Sequence, residues 1–178
     1  MSIILFGIVS VALSAVQAAD NASDYSKFSH WQSANSLGTF AFERYNSRSG
    51  KGVLKIVINK KTPPNSSFVF LNHFPVKPGK EYTAVVYVKG RNLSSDSRIS
   101  LAFQGMDAQK KFIGTDVKST AIDGANVSNS EWKRLILTFK IPTTGVWAGA
   151  SVIICTFGIE KSVSGEVFFD DFEFVDTE

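Results

Sequence analysis

The sequence predicts an all-β protein, a sandwich or barrel of about eight to ten strands. Two observations lead to this prediction. Short runs rich in β-branched and aromatic residues alternate with clusters of turn-forming residues along the 178-residue chain. No long stretch repeats its apolar residues at the helical period, so we expect no helix of note.

Eight runs are expected to be strands because each concentrates or alternates apolar residues between turn signals. They are Gly38–Tyr45, Val53–Asn59, Ser67–His73, Glu81–Lys89, Ile99–Met106, Trp132–Ile141, Ala148–Phe157 and Gly165–Val175. The run Ala148–Phe157 is apolar on both faces, which predicts a central position in its sheet. Residues 114–130 are rich in Ser, Thr, Asn, Asp and Gly, and we expect a long functional loop there.

The amino terminus has the pattern of a secretory signal peptide. Residues Ile3–Val16 form an apolar run, and Val16–Ala18 places small residues where a signal peptidase reads them. The run of about 14 residues is shorter than the roughly 20 that a membrane-spanning helix needs. We therefore expect a signal peptide over residues 1–18 (or ending at Ala19), a single domain over residues 19–178, and a secreted protein, extracellular or periplasmic, without a membrane anchor.

The formal net charge of +3 is unevenly distributed. Residues 44–98 hold eleven basic and two acidic residues, whereas residues 99–178 hold seven basic and eleven acidic ones. Lysines that keep strand edges apart would explain this pattern, and so would a patch for an anionic partner such as an acidic polysaccharide. The single cysteine, Cys155, lies in an apolar run. It is therefore expected to be a buried side chain, and an intramolecular disulfide is excluded.

A series of short motifs runs along the chain in a characteristic order. The motifs are Trp31, Gly50–Ile56, Val76–Thr83, Glu131–Leu135 and Gly165–Phe174. In this order they resemble the motifs of jelly-roll carbohydrate-binding modules, the group that includes families 4, 9 and 22. The resemblance spans nearly the whole mature chain. It implies an antiparallel β-sandwich (jelly roll) that binds polysaccharide or oligosaccharide.

Similar modules usually carry one structural calcium ion (Ca2+), and the resemblance implies that an aspartate of the closing Asp-Asp pair is a ligand. Strand alternation places Asp170 on the face of Phe172 and Phe174. Asp170 would then point inward at the edge of the core, where a carboxylate needs a metal or hydrogen-bond donors. Asp24 is the candidate ligand near the start of the domain. The alternative is that Asp170 accepts backbone N–H hydrogen bonds and binds no metal.

Sugar binding requires flat apolar rings for the C–H faces of the sugar and polar groups for its hydroxyls. Trp147 matches no packing position of the resemblance and is the best candidate for an exposed ring. Tyr87 and Gln104 both point outward by strand alternation, and we expect them side by side on a concave sheet. Tyr45 and Arg44 are weaker candidates. The alternative is that these are ordinary exposed strand residues.

The sequence has no recognisable catalytic motif: it contains no Gly-x-Ser-x-Gly elbow, no His-Glu-x-x-His and no glycine-rich phosphate loop. We therefore expect a secreted, non-catalytic polysaccharide-binding module, and the basic segment makes an acidic glycan one candidate ligand. Nucleic acid is not an expected partner because the chain is exported. The alternative function is a structural or adhesive surface protein that uses the same fold to bind protein partners.

Overall fold

The computed structural model describes residues 28–31, 39–50, 52–59, 65–127 and 130–177. Eleven strands lie in these ranges: β1 (Phe28–Trp31), β2 (Thr39–Glu43), β3 (Val53–Ile58), β4 (Asn65–Pro75), β5 (Glu81–Arg91), β6 (Arg98–Met106), β7 (Phe112–Lys118), β8 (Ile122–Asp123), β9 (Lys133–Lys140), β10 (Val152–Glu160) and β11 (Gly165–Asp176). Short 3-10 helices follow β8 and β9, at Gly124–Asn126 and Val146–Gly149. In the described ranges no helix is long and apolar enough to cross a membrane. The predictions for residues 1–18 and for Asp24 lie outside the described residues.

The strands form two antiparallel sheets. The six-stranded sheet has the order β1-β4-β10-β6-β7, and β8 also pairs with β6. The five-stranded sheet has the order β2-β3-β11-β5-β9. Apolar residues of both sheets meet in one shared core. The predicted antiparallel β-sandwich is confirmed, with eleven strands, which is more than the sequence predicted.

The core follows the alternation of side chains along each strand. In β5 every second residue from Tyr82 to Gly90 is buried, and the residues between them are half-buried. The rings of Phe157 in β10 and Phe169 in β11 stack across the two sheets with centroids 4.7 Å apart. Cys155 is buried in the same core, as predicted, and burial raises the pKa of its thiol well above the ordinary value.

Residues 114–130 are not the structureless loop that the sequence predicted. Most of this segment is used by β7, by β8 and by a 3-10 helix, and both strands pair with β6. A register shift in the β6–β7 pairing and the positive φ of Gly114 (65°) indicate a bulge in β7. Because β7 is an edge strand with one face in solvent, it forms with a lower apolar content than a central strand needs.

The strand predicted over Ala148–Phe157 begins later, at Val152, and ends at Glu160. The residues before it form a 3-10 helix that begins after Gly145, whose φ of 77° is in the left-handed region. Glycine adopts this conformation without steric cost, so the chain turns there before it enters the sheet. The predicted central position is confirmed, since β10 lies between β4 and β6.

A β-bulge in β11 changes the alternation on which the position of Asp170 was predicted. The register of β11 against β5 shifts directly after Asp170, and Asp171 has a φ of 47°. Phe169 faces the core before the bulge, and Phe172 faces it after the bulge. Asp170 therefore lies on the outer face of the five-stranded sheet. The prediction that it points inward with Phe172 is wrong, because the inserted residue shifts the alternation by one.

Candidate functional site

The outer face of the six-stranded sheet holds buried polar side chains. In β6, Leu101 and Phe103 belong to the core, so Ser100 and Gln104 point to the opposite face. Ser100, Gln104 and the neighbouring Thr156 of β10 are nevertheless only 5%, 6% and 3% exposed. Burial of polar groups is unfavourable unless they find hydrogen-bond partners. This face is therefore a candidate for ligand binding.

In the side-chain amide of Gln104, the nitrogen forms a hydrogen bond and the oxygen forms none among the described residues. Its Nε2 donates a hydrogen bond of 3.2 Å to Oδ2 of Asp116 in β7. Its Oε1 is buried and has no hydrogen-bond partner among the described residues. Turning the amide over would place Oε1 against the Asp116 carboxylate, acceptor against acceptor, so the contact fixes the orientation of the amide. A buried acceptor without a partner costs about 1–3 kcal/mol.

Gln104 and Asp116 line a pocket of about 300 Å³ together with Phe112, Ile113 and Gly114. The pocket lies at the bulge of β7, where the extra residues separate this strand from β6. The side chain of Phe112 is 55% exposed at its rim. The pocket thus combines an aromatic ring with two polar side chains.

An apolar strip continues the pocket along the same face of the sheet. Met106 lies opposite Phe112 in the β6–β7 ladder, and Ile154 lies opposite Gln104 in the β6–β10 ladder. Met106, Ile154 and the half-buried Val152 form a small apolar cluster separate from the main core. An aliphatic floor, an aromatic ring and convergent polar groups are together typical of a small-ligand site.

Trp147 lies behind the pocket and is half-buried, so the prediction of an exposed tryptophan is wrong. Its ring packs against the core and meets Phe139 edge-on, with centroids 4.9 Å apart. A Cβ atom at Gly105 or Gly114 would come within 2.7 or 3.0 Å of this ring. The two glycines therefore give the indole its space. The ring in turn supports the bulged part of β7, which sequence spacing does not reveal.

Tyr87 and Gln104 lie on opposite sheets, so the prediction that they are side by side is wrong. β5 belongs to the five-stranded sheet and β6 to the six-stranded sheet, because the chain crosses the sandwich between them. Tyr87 does point away from the core, as predicted. The guanidinium of Arg48 lies over its ring, 3.8 Å from the centroid. A cation of the protein thus already covers this ring face.

Other rings on the outer face of the five-stranded sheet are covered in the same way. Phe168 is 1% exposed, and the cationic groups of Lys55, Lys89 and Arg91 lie 5.5–5.9 Å from its centroid. The ammonium of Lys89 also lies 4.6 Å from the centroid of Trp132. Burial lowers the pKa of Lys89, and the nearby charge of Arg91 adds to this effect. These rings are therefore poorly placed for stacking against a sugar.

The basic residues of this face are paired with acidic residues. The ammonium of Lys55 lies 2.9 Å from Glu43 and 2.8 Å from Glu166, and Glu166 also accepts from Arg91 at 3.1 Å. The hydrogen bonds that Lys55 donates to Glu166 and Glu43 raise the pKa of Lys55, and the bond to Glu43 lowers the pKa of that carboxyl. Folding therefore neutralises part of the charge that residues 44–98 carry in the sequence.

Arg44 and Tyr45 lie in the turn between β2 and β3 of the five-stranded sheet. Both are exposed, and Tyr45 is 86% exposed. They therefore belong to the five-stranded sheet, whereas Gln104 belongs to the six-stranded sheet. The five residues predicted to bind sugar do not form one cluster.

The Asp170 carboxylate is 2% exposed and accepts hydrogen bonds from the protein. Its Oδ2 accepts from Oγ of Ser47 at 2.9 Å and from the backbone N–H of Arg48, and its Oδ1 accepts from the N–H of Asp171 at 2.8 Å. Calcium needs several oxygen ligands, whereas these groups are donors. The described residues contain no group of three or more His, Cys, Asp or Glu that could hold a metal. The surroundings of Asp170 do not fit a calcium site, and a calcium ion with Asp24 stays a prediction.

Phe112 and Asp116 were missed by sequence reasoning, although a signal for the hairpin was present. Asp107 begins a turn in which its Oδ1 accepts from the backbone N–H groups of Gln109 and Lys111, each at 2.9 Å. An aspartate that caps its own turn is a common start of a β-hairpin connection. The strand after that turn would have placed Phe112 and Asp116 beside β6.

Comparison with known proteins assigns the chain to a family. The profile of a carbohydrate binding domain family, CBM_4_9, matches residues 24–156. Because this match covers more than half of the chain, the protein belongs to that carbohydrate-binding family. The resemblance derived from the motifs is thereby confirmed. The comparison with curated proteins found no match.

Solved structures share the fold at low sequence identity. A CBM22-1 xylan-binding domain from Paenibacillus barcinonensis is 10% identical with a TM-score of 0.53, covering 86% of this chain and 88% of that one. The CBM22-1–GH10 modules of a Clostridium thermocellum xylanase, complexed with xylohexaose, are 15% identical with a TM-score of 0.61. There 89% of this chain matches 27% of the other. The enzymatically active domain of a bacteriophage CBA120 tailspike protein is 12% identical with a TM-score of 0.63, and 85% of this chain covers 19% of it.

Proposed function

We propose that the protein is a secreted, non-catalytic module that binds polysaccharide in the pocket between β6 and β7. The observation that carries the proposal is the buried Oε1 of Gln104, which has no hydrogen-bond partner among the described residues and belongs to a side chain that lines the pocket. A sugar hydroxyl would supply the missing donor. The cost of burying this acceptor would then be offset in the complex.

The remaining pocket residues suit the other needs of a sugar ring. Phe112 is exposed enough to lie against C–H groups, as aromatic side chains do at binding sites. Asp116 holds the Gln104 amide in place and has a second oxygen that can accept from a neighbouring hydroxyl. Pre-organised side chains of this kind reduce the entropy lost on binding.

The first polysaccharide to test is suggested by the structural neighbours. One of them is a xylan-binding domain, and another was solved in complex with xylohexaose. These neighbours share less than a fifth of their residues with the chain, so they motivate the choice of probe and not the identity of the ligand. Xylan is therefore the first probe, and mixed-linkage β-glucan is added to the panel as a second polysaccharide of different sugar composition.

An acidic glycan is the finer form of the proposal that the basic segment 44–98 suggests. On the five-stranded sheet this charge is reduced by the pairs of Lys55 and Arg91 with acidic residues. Arg44 and Arg134 are exposed on that side of the sandwich and would carry such an interaction. Binding that weakens steeply between low and physiological salt is the expected sign of it.

Secretion rests on the apolar run Ile3–Val16 and the small residues that follow it. Export is tested by expressing the full chain and sequencing the amino terminus of the protein recovered outside the cytoplasm. A new terminus at Ala19 supports the proposal, and retention of Met1 contradicts it. The non-catalytic assignment is tested by reducing-sugar release from each polysaccharide that binds.

The decisive binding experiment compares two exposed aromatic residues on opposite sheets. We expect Phe112→Ala to weaken binding to the best polysaccharide in a titration calorimetry panel at least tenfold, since burying such a ring contributes about 1.5–3 kcal/mol. Tyr45→Ala is the matched control and should leave the affinity unchanged, because Tyr45 lies in the β2–β3 turn. If Tyr45→Ala weakens binding and Phe112→Ala does not, the binding site lies on the five-stranded sheet. Silence of the folded protein across the panel would favour the protein-binding alternative.

A further inference from the structure

The pocket between β6 and β7 offers hydrogen-bond acceptors and a negative charge. The orientation of the Gln104 amide leaves Oε1 as the group that still needs a partner, while Nε2 is used by Asp116. The carboxylate of Asp116 offers hydrogen-bond acceptors and carries a formal negative charge. A ligand that satisfies Oε1 must therefore bring an O–H or N–H donor.

Lys118 lies two residues beyond Asp116 in β7, but it does not neutralise the Asp116 carboxylate. Lys118 lies on the same strand as Asp116, but its ammonium is 3.0 Å from the carboxylate of Glu160 in β10. Lys118 and Glu160 therefore neutralise each other, and the charge of Asp116 remains. Asp116 is exposed, so a carboxylate or sulfate on the ligand would be repelled by this charge most strongly at low salt.

We infer that Asp116 makes the pocket selective for uncharged, hydroxyl-rich sugar units and that it discriminates against uronic acid or sulfated units. The inference rests on the proposed function and deepens it, since it names the chemical class of the ligand. Asp116 acts as a specificity residue, because it contacts the sugar and also orients the Gln104 amide. An acidic polysaccharide would have to bind elsewhere, for example beside Arg134.

The test uses two derivatives of one polysaccharide that differ in charge but have similar size. Hydroxyethyl-xylan is neutral and carboxymethyl-xylan is anionic, and the same pair of derivatives is made from mixed-linkage β-glucan. Affinities are measured by titration calorimetry at low salt for the wild-type protein and for Asp116→Asn. The asparagine keeps a carbonyl oxygen that can accept from Gln104, so the pocket geometry is retained while the charge is removed.

The wild-type protein should bind the neutral derivative about fivefold or more tightly than the anionic one, given the usual strength of partly exposed charge pairs. Asp116→Asn should reduce this preference to within about twofold. The matched control is Asp123→Asn, which removes an exposed carboxylate in β8 at another part of the same sheet and should keep the full preference. Thermal unfolding of each variant checks that the fold is unchanged.

Equal binding of both derivatives by the wild-type protein would overturn the inference, and so would an unchanged preference in Asp116→Asn. In either case Phe112→Ala would still weaken binding at least tenfold, and the proposed function would stand. If the wild-type protein binds neither derivative and no polysaccharide of the panel, the proposed function and the inference both fail. Tighter binding of a cationic glycan such as chitosan than of every neutral glycan would also overturn the neutral-sugar assignment.

Discussion

Replacing Gln104 with methionine is expected to weaken glycan binding while leaving the protein as stable as before, or more stable. Methionine has nearly the same length and volume as glutamine but no hydrogen-bonding amide. The substitution removes the buried Oε1 that lacks a partner among the described residues. It also removes the hydrogen bond from Nε2 to Asp116. The two losses act on stability in opposite directions.

The magnitudes follow from the surroundings of the amide. Removing an unsatisfied buried acceptor should stabilise the folded state by about 1–3 kcal/mol. Losing the hydrogen bond to Asp116 should cost about 1 kcal/mol, because the exposed Asp116 carboxylate can bond to water in its place. The free energy of unfolding is therefore expected to rise by up to about 2 kcal/mol. The ligand loses a hydrogen bond to Oε1 and the orientation of Asp116, so affinity should fall by at least about tenfold.

Urea unfolding and titration calorimetry with the best polysaccharide of the panel measure the two effects on the same variant. Thr156→Val is the control, because it removes another buried polar group of the same face that does not line the pocket. It should leave affinity within about twofold. A loss of more than about 1 kcal/mol of stability in Gln104→Met together with unchanged affinity would refute the reasoning. Gln104 would then be a structural residue whose acceptor is satisfied in solution.

Four further expectations concern the rest of the fold. Trp147→Ala should lower the free energy of unfolding by about 2–4 kcal/mol, because the ring packs between Phe139 and the bulge of β7. Asp170→Asn should cost about 2 kcal/mol both with and without EDTA, because protein donors surround the carboxylate. Acid titration followed by circular dichroism should show stability lost as the pH falls below 4.5, since Glu43 has a lowered pKa and is stabilising only when ionised. Cys155 should react with a thiol reagent only after unfolding.

Each of these expectations has an outcome that contradicts it. A fully stable Trp147→Ala protein that has lost binding would show that the ring contacts the ligand. A fall in melting temperature with EDTA that calcium restores would support the calcium prediction against the hydrogen-bonded account of Asp170. A Glu43→Gln variant with the same acid profile as the wild type would exclude Glu43 as its cause. Rapid labelling of the native thiol would show that Cys155 is not in a closed core.

The strands of the core could be predicted because their core-facing residues are apolar. The burial of β5 alternates as its sequence does, whereas β6 and β10 are buried on both faces, and only β10 is apolar along most of its length. β7 could not be found by the same test. It lies at the edge of its sheet, and its bulge at Gly114 interrupts the alternation. The pocket was missed together with the strand that forms it.

For the site residues, strand alternation could predict the direction of a side chain within a regular strand, but it could not predict which sheet the strand joins. Alternation gave the correct outward direction for Tyr87 and Gln104, but it could not tell that the chain crosses the sandwich between β5 and β6. For Asp170 a single inserted residue reversed the inferred face. Such information is contained in strand pairing over long sequence distances. The pairing of Lys55 with Glu166 was not visible in the charge pattern of residues 44–98 for the same reason, because Glu166 is far away in sequence.

The central claim is that glycan binds on the outer face of the six-stranded sheet, at the pocket of Gln104. Titration of isotope-labelled protein with xylohexaose, followed by two-dimensional NMR, tests it most directly. We predict that the side-chain NH₂ signals of Gln104 and the backbone amides of β6 and β7 shift, while those around Tyr87 and Arg134 stay in place. Shifts confined to the five-stranded sheet, or none with xylohexaose and with every other oligosaccharide of the panel, would contradict the claim.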